Sequence, residues 1–289
     1  MPDASIPALD PDTARAKYGP WALVAGGSNG TGEGFARELA AVGINVVLVA
    51  RKQETLDALA AELKSSYGVE TRTLVQDLME PDAARNMLAA TADIDVGLYV
   101  SNAGADDIGA PFLEDPVERW QRLAQMNVMT VIAAVHGFGN RLRQRGRGGI
   151  VVMSSGIALG GCPNLAMYSA TKGFEMLFTE SLWAELLDTD IEVIGVLAPS
   201  MDTPLFHRII GSELRSQMET SSTIFDPREI ARDALSQLGQ RPLLIYGSRR
   251  ETPPDEVREQ RLQALLASVD VGKAFAAERH NPELMALRG

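Results

Sequence analysis

The chain has 289 residues, 45% hydrophobic and 22% charged, with a formal net charge of −11 and one cysteine. That length and apolar content suffice for one large α/β core, and the negative charge argues against nucleic acid or an anionic membrane as the main partner. One cysteine allows no internal disulfide, which fits a reducing cytoplasm. No stretch approaches the ~18 apolar residues of a membrane span, and the opening Met-Pro-Asp-Ala-Ser lacks a secretory pattern.

Residues 1–17 read as a polar, partly mobile lead-in. The apolar run Trp21 to Ala25 predicts a first strand. It leads into Gly26-Gly27-Ser28-Asn29-Gly30-Thr31-Gly32, and 32–42 reads as a helix. Strand, glycine-rich turn and helix form the context of a dinucleotide fingerprint. Glycines let the backbone approach a pyrophosphate, and a helix N-terminus supplies free N–H groups and the positive end of a dipole. A tight structural turn is the alternative. The strand 45–50 completes a β-α-β unit. It ends at Arg51, followed by Lys52, where an acidic residue would bind the ribose 2′-OH of NAD. A guanidinium there suits a 2′-phosphate, so NADP(H) is expected; two solvated basic residues are the plainer reading.

Further strands are predicted at 71–75, 96–100, 149–153, 191–197 and 243–246, with helices at 53–67, 81–92, 116–144, 166–188 and 227–239. Strands separated by helix-length segments predict parallel pairing with right-handed crossovers. The expected fold is α/β: a single Rossmann-type doubly wound domain, a parallel seven-stranded sheet flanked by helices, with a C-terminal helical extension. His136, His207 and His280 are far apart, so no metal site is expected.

Three residues carry the chemistry. Ser155 follows the apolar run Ile150 to Met153, at the C-terminal end of a predicted strand, where ligands bind in open α/β sheets. Tyr168 and Lys172 are four apart on a predicted helix and so share one face. A free phenol ionises near pH ~10, and a nearby ammonium favours its phenolate. Such a Tyr can serve as general acid in one direction and base in the other, with the Ser hydroxyl holding the substrate oxygen. Alone, the pair would be an aromatic and a solvated charge on a helix. Cys162 reads as a small packed hydrophobe, and Glu33 as a complement to a helix N-terminus.

Together these motifs resemble the short-chain dehydrogenase/reductase family, over about residues 18 to 248. Gly26, Gly30 and Gly32 have its glycine spacing, and Ser101-Asn102-Ala103-Gly104 resembles its Asn-Asn-Ala-Gly segment. Asn127 falls on its helix-four asparagine, and Ser155, Tyr168 and Lys172 on its catalytic positions. The runs Tyr18 to Trp21, Gly43 to Leu48 and Tyr67 to Thr71 look most like the 17β-hydroxysteroid dehydrogenase/very-long-chain 3-oxoacyl-CoA reductase branch. Membrane members of that branch carry a hydrophobic N-terminal anchor, and none is expected from this sequence.

The resemblance implies a ketone–secondary alcohol oxidoreductase on an apolar substrate: a steroid, a 3-oxoacyl thioester or an aromatic ketone. It gives Asn127 a water-holding relay to Lys172. It assigns Ser28, Asn29, Thr31, Asn102, Ala103, Gly104, Pro199 and Thr203 to the cofactor, alongside the glycines, Tyr168 and Lys172. Asp77-Leu78 would contact adenine, though Asp77 reads equally as a helix cap before Pro81. Ala25 stands where Thr is usual, which would loosen the turn, and Ser200 replaces a Gly that tolerates φ > 0.

Residues 18–250 are the expected catalytic domain. Within it, 203–225 is read as a substrate lid, or else an ordinary amphipathic surface helix. The extension 251–289 carries Leu262, Leu265, Leu266 and Val269 at helical spacing, to pack on its own domain or on a neighbouring subunit. A homodimer or homotetramer is expected. Two other readings are a non-catalytic NADP(H)-binding sensor or scaffold, and a sugar-nucleotide epimerase or dehydratase. The intact Ser–Tyr–Lys set argues against the first, the glycine spacing against the second.

Overall fold

A computed structural model describes residues 9–104, 109–203 and 224–246, and residue 259. The lid segment beyond Thr203 up to residue 223, and the leucine stripe of the extension, lie outside the described residues.

The seven strands are β1 (Trp21–Ala25), β2 (Asn45–Ala50), β3 (Thr71–Val75), β4 (Val96–Ser101), β5 (Gly148–Ser155), β6 (Ile191–Ala198) and β7 (Leu243–Ile245). All pair in parallel, in the order β3-β2-β1-β4-β5-β6-β7. The chain steps outward from β1 to β3, then returns to the centre at β4. The crevice between β1 and β4 is therefore the topological switch point, where doubly wound sheets take their ligands. Helices cover both faces, so β1 and β4 are buried at every position and read as continuous apolar runs, not alternating ones. Ala22 and Val24 of β1 join the core beneath α2 (Gly30–Ala41), α3 (Gln53–Tyr67) and α8 (Pro227–Gln237); Trp21, Leu23 and Ala25 join the opposite one. That second core lies beneath α4 (Ala83–Ala90), α6 (Thr130–Arg145) and α7 (Ala166–Glu185).

Two departures from expectation have physical causes. Within the expected lead-in, Pro11–Tyr18 form a helix, α1. The Asp10 carboxylate accepts from Thr13 N–H at 2.9 Å and Pro11 sits at the first position, both strong start signals. Buried Ala14 and Tyr18 dock α1 on the sheet, and Lys17 and Tyr18 both bond Glu192 of β6. Burial and that carboxylate hold the Tyr18 phenol well above its ordinary range. This helix closes the N-terminal end of the sheet, opposite the switch-point crevice.

The second departure splits the expected helix 116–144. It runs as α5 (Val117–Ala124), a π-helical turn (Gln125–Met129) and α6. A π turn inserts one residue and rotates the succeeding helix about its axis, a device found mostly at functional sites. Here it turns Asn127 fully inward. No helix among the described residues is long and apolar enough to cross a membrane.

Candidate active site

The C-terminal ends of β1 and β4 are in register, Ala25 opposite Ser101; Val152 stands opposite Ser101, and β5 runs on past both to Ser155. From Ala25 the chain turns sharply, with Gly26 and Gly27 N–H groups donating to Val49 O at 2.8 and 3.0 Å. Gly26 has φ +84°, and a Cβ there would come within 2.9 Å of Ala103 N, so any side chain would force the two loops apart. Asn29 precedes α2 with no side-chain cap, which leaves the first amides of α2 to an outside acceptor. The Asn29 amide donates to Ser28 Oγ at 3.3 Å, and buried Thr31 donates to Met201 Sδ at 3.0 Å.

The segment after β4 is tied to this turn. Asn102 and Ala103 N–H groups both donate to Ala25 O, and the Asn102 side chain donates to Gly26 O at 2.9 Å. These bonds hold the turn even though Ala25 supplies no hydroxyl. A Cβ on Gly32 would collide with Gly26 O, so that glycine is what lets the turn close against α2. Thr203 reaches the same place from β6: its Cγ2 lies 3.0 Å from where a Gly30 Cβ would sit. Pro199 follows β6 half-buried. Ser200 needs no left-handed backbone, since Asn164 is the only described non-glycine residue with positive φ. The post-β6 loop is held by Phe225 N–H donating to Ser200 O at 3.0 Å.

On the other flank, Arg51 leaves the end of β2 exposed, with no bonded partner among the described residues. Asp77 is not the cap of a helix. Its carboxylate accepts from Met79 N–H at 3.0 Å and closes a turn ahead of α4, while buried Leu78 uses its carbonyl to accept from Thr130 Oγ1 at 2.9 Å.

Beneath the crevice lies the titratable cluster. Lys172, 2% exposed, donates from Nζ to Met153 O at 2.9 Å and to Glu175 Oε2 at 2.8 Å. Its Nζ stands 5.8 Å from the centre of the half-buried Tyr168 ring, one helical turn earlier. Asn127 donates from Nδ2 to Thr171 Oγ1 at 3.0 Å, which leaves its buried Oδ1 without a partner. Gly104 has φ +153°, and a Cβ on it would stand 2.6 Å from Lys172 Nζ and 3.0 Å from Asn127 Oδ1. Gly104, Asn127 and Lys172 therefore meet at one point below the β4 end.

Ser155, the last residue of β5, accepts from Ile157 N–H at 3.4 Å; it shares no direct hydrogen bond with Tyr168. Cys162 is exposed, not packed, in the connection between them. Glu33 pairs with Arg37 at 2.7 Å. No group of three or more His, Cys, Asp or Glu among the described residues could hold a metal. An uncapped helix start, a turn that tolerates no Cβ and an orphaned buried oxygen beside Lys172 fit a dinucleotide bound at the crevice.

Sequence reasoning missed Glu175. Its signal is a Lys–Glu pair three apart on the helix, but surface pairs of that spacing are common and only burial distinguishes this one.

Comparison with known proteins agrees with this geometry. A family model described as short chain dehydrogenase matches residues 20–213. A 7beta-hydroxysteroid dehydrogenase of Collinsella aerofaciens is 32% identical over 242 residues, 82% of this chain and 89% of that protein. A very-long-chain 3-oxoacyl-CoA reductase of Neurospora crassa is 31% identical over 227 residues, 77% of this chain and 66% of the reductase. Among solved structures, one of a 7beta-hydroxysteroid dehydrogenase superposes with TM-score 0.76 at 29% identity, covering 86% of this chain and 93% of the other. A short-chain dehydrogenase from Sphingobium yanoikuyae in complex with NADPH superposes with TM-score 0.71 at 26% identity, covering 86% and 95%.

Proposed function

This chain belongs to the short-chain dehydrogenase family and is an NAD(P)-dependent oxidoreductase of ketones and alcohols; we propose that it uses NADP(H), on an apolar ketone or secondary alcohol, with Tyr168 as acid and base. The observation that carries the reading is the meeting of Tyr168, Lys172 and the orphaned Asn127 Oδ1 at the C-terminal edge of the switch-point crevice.

The uncapped start of α2 and the Gly26–Gly32 turn would hold the pyrophosphate through backbone N–H groups. Thr203, placed against Gly30, would border the nicotinamide end. When bound, the cofactor supplies or accepts the hydride at the carbonyl carbon. Ser155 Oγ donates to the substrate oxygen and fixes it. Tyr168 gives its phenolic proton to that oxygen in reduction and takes it back in oxidation. Lys172 stabilises the phenolate by its charge, and Asn127 Oδ1 orders a water that reconnects Lys172 to solvent after each proton transfer. The apolar substrate class, a steroid, 3-oxoacyl thioester or aromatic ketone, is supported by the relatives named as hydroxysteroid dehydrogenases and a 3-oxoacyl-CoA reductase. Turnover across those three classes, with NADPH and NADH in parallel, tests the whole reading. Lack of turnover with every ketone would overturn it in favour of a sensor.

The cofactor preference rests on Arg51, whose guanidinium is exposed at the end of β2, and is supported by the NADPH-bound relative. Arg51→Asp is expected to reverse it. A charge-assisted hydrogen bond is worth about 1.5–3 kcal/mol, so the NADPH/NADH selectivity ratio should fall by roughly 10- to 100-fold. An unchanged ratio of kcat/KM values for the two cofactors would remove Arg51 from the site.

We read the protein as a homodimer or homotetramer working in the cytoplasm. Met129, Ile132 and Leu177, 55%, 40% and 57% exposed on the π turn, α6 and α7, support an interface built on these helices. Light scattering at micromolar concentration should give at least twice the 31.1 kDa chain mass; a monomer there contradicts the assembly.

A further inference from the structure

Tyr168, Lys172 and Glu175 stand at i, i+4 and i+7 of α7, one stripe of the helix, where a buried face ordinarily carries apolar residues. Glu175 is 1% exposed, and its Oε2 accepts from Lys172 Nζ at 2.8 Å. The stripe is therefore a chain of phenol, ammonium and carboxyl, and the last member has no part in the chemistry proposed above. We propose that Glu175 is a positioning residue that anchors Lys172 and offsets its charge, so that it weakens the pull of Lys172 on the Tyr168 proton. This inference rests on the assignment of Tyr168 as acid and base.

The argument is electrostatic. An ammonium alone beside a phenol favours the phenolate, whereas an ammonium paired with a carboxylate is close to neutral when viewed from a few ångströms away. Burial pushes the Glu175 carboxyl up to about 7, with Lys172 pulling in the opposite direction. The offset therefore switches on as pH rises through neutrality. Below that range Lys172 faces Tyr168 uncompensated; above it the ammonium is paired with a carboxylate.

The nearest groups on β5 and the π turn are neutral. From β5 come the Met153 carbonyl and Ser154, whose hydroxyl donates to Lys172 O at 2.8 Å; from the π turn comes Asn127. The charged residues on elements packed against α7 are Glu118, Arg119 and Arg122 of α5 and Glu192 of β6. Arg119 is paired with Asp115, and Glu192 with Lys17 and Tyr18. On α7 itself, Glu180 and Glu185 lie further from Tyr168 along the helix.

The test is an ultraviolet titration of the Tyr168 phenol, obtained by subtracting the Tyr168→Phe spectrum from that of each parent, which removes the other four of the five tyrosines. Glu175 lies seven residues, about 10 Å, along the helix from Tyr168, and at that separation in an effective dielectric near 20 removing its charge should move phenol ionisation about one pH unit lower. Glu175→Gln keeps an acceptor for Lys172 and should show that shift. The pH profile of alcohol oxidation should move the same way. Glu175→Met, which fills the space with no carboxyl, should show it too and serves if the Gln variant does not fold. Glu175→Asp, which retains the charge, should return the titration toward wild type. Phenol titrations of the Gln and Met variants that superimpose on wild type overturn the inference. Retained turnover in Tyr168→Phe would instead overturn the catalytic assignment beneath it, so the two failures are distinguishable.

Discussion

Tyr168→Phe is expected to lose at least ~10²–10⁴-fold in kcat, the range of a general acid–base group, while NADPH affinity stays within a few-fold of wild type. The substitution removes one oxygen and keeps the ring. Tyr168 is held through its backbone, where its carbonyl accepts from Thr171 Oγ1 at 3.0 Å, and that bond survives. The ring remains 5.8 Å from Lys172, so the packing at the start of α7 is retained. Because the lost interaction forms only as the proton moves, kcat and kcat/KM should fall together with little change in KM. Stopped-flow hydride transfer and NADPH fluorescence titration check the two halves. Wild-type turnover in this variant would falsify the assignment, and a parallel collapse of NADPH binding would make Tyr168 chiefly a cofactor ligand.

The parts legible from sequence are those that local chemistry dictates. Trp21 to Ala25 can be read as a strand because five successive buried positions demand apolar residues on both faces. The glycine turn can be read because the Gly26 conformation and the Gly32 clash leave no room for another residue. Tyr168 and Lys172 share a face by helical spacing alone. The features that escape depend on distant partners. The π turn carries no composition signal, yet it is the element that turns Asn127 inward. Polarity hides helix α1, although Asp10-Pro11 announces a helix start. Only the sheet end reveals why Tyr18 and Lys17 are needed, since both reach Glu192, more than 170 positions away. Cysteine is usually packed, and no local rule places Cys162 in an exposed connection. Glu175 escapes for the same reason in reverse: its residue type predicts a solvated surface, and tertiary burial overrides that.

That burial sets the largest expected stability effect. Lys172→Met should destabilise the fold, and by an amount that grows with pH. Removing one member of a buried ion pair typically costs about 3–5 kcal/mol, because the other charge is left without compensation. Glu175 can avoid that cost only by taking up a proton. Its folded-state value, about 7, already lies above the ordinary 4.5 because burial outweighs the attraction of Lys172. Without Lys172 the opposing pull is gone and the value must rise further. The sign is set by linkage: a group raised on folding contributes stability below its unfolded value and loses it as pH climbs through its folded value. In the wild type that loss spans 4.5 to about 7; in the variant it continues into alkaline solution. Urea unfolding should therefore show a small wild-type-to-variant difference at about pH 5, where the carboxyl is neutral in both, and several kcal/mol at about pH 8. Adding Glu175→Met to Lys172→Met should recover most of the alkaline loss without restoring turnover, because it removes the stranded carboxyl and leaves the phenol without its ammonium. A difference independent of pH, or a double variant no more stable than the single one, would mean that the pair is not coupled as the 2.8 Å contact indicates.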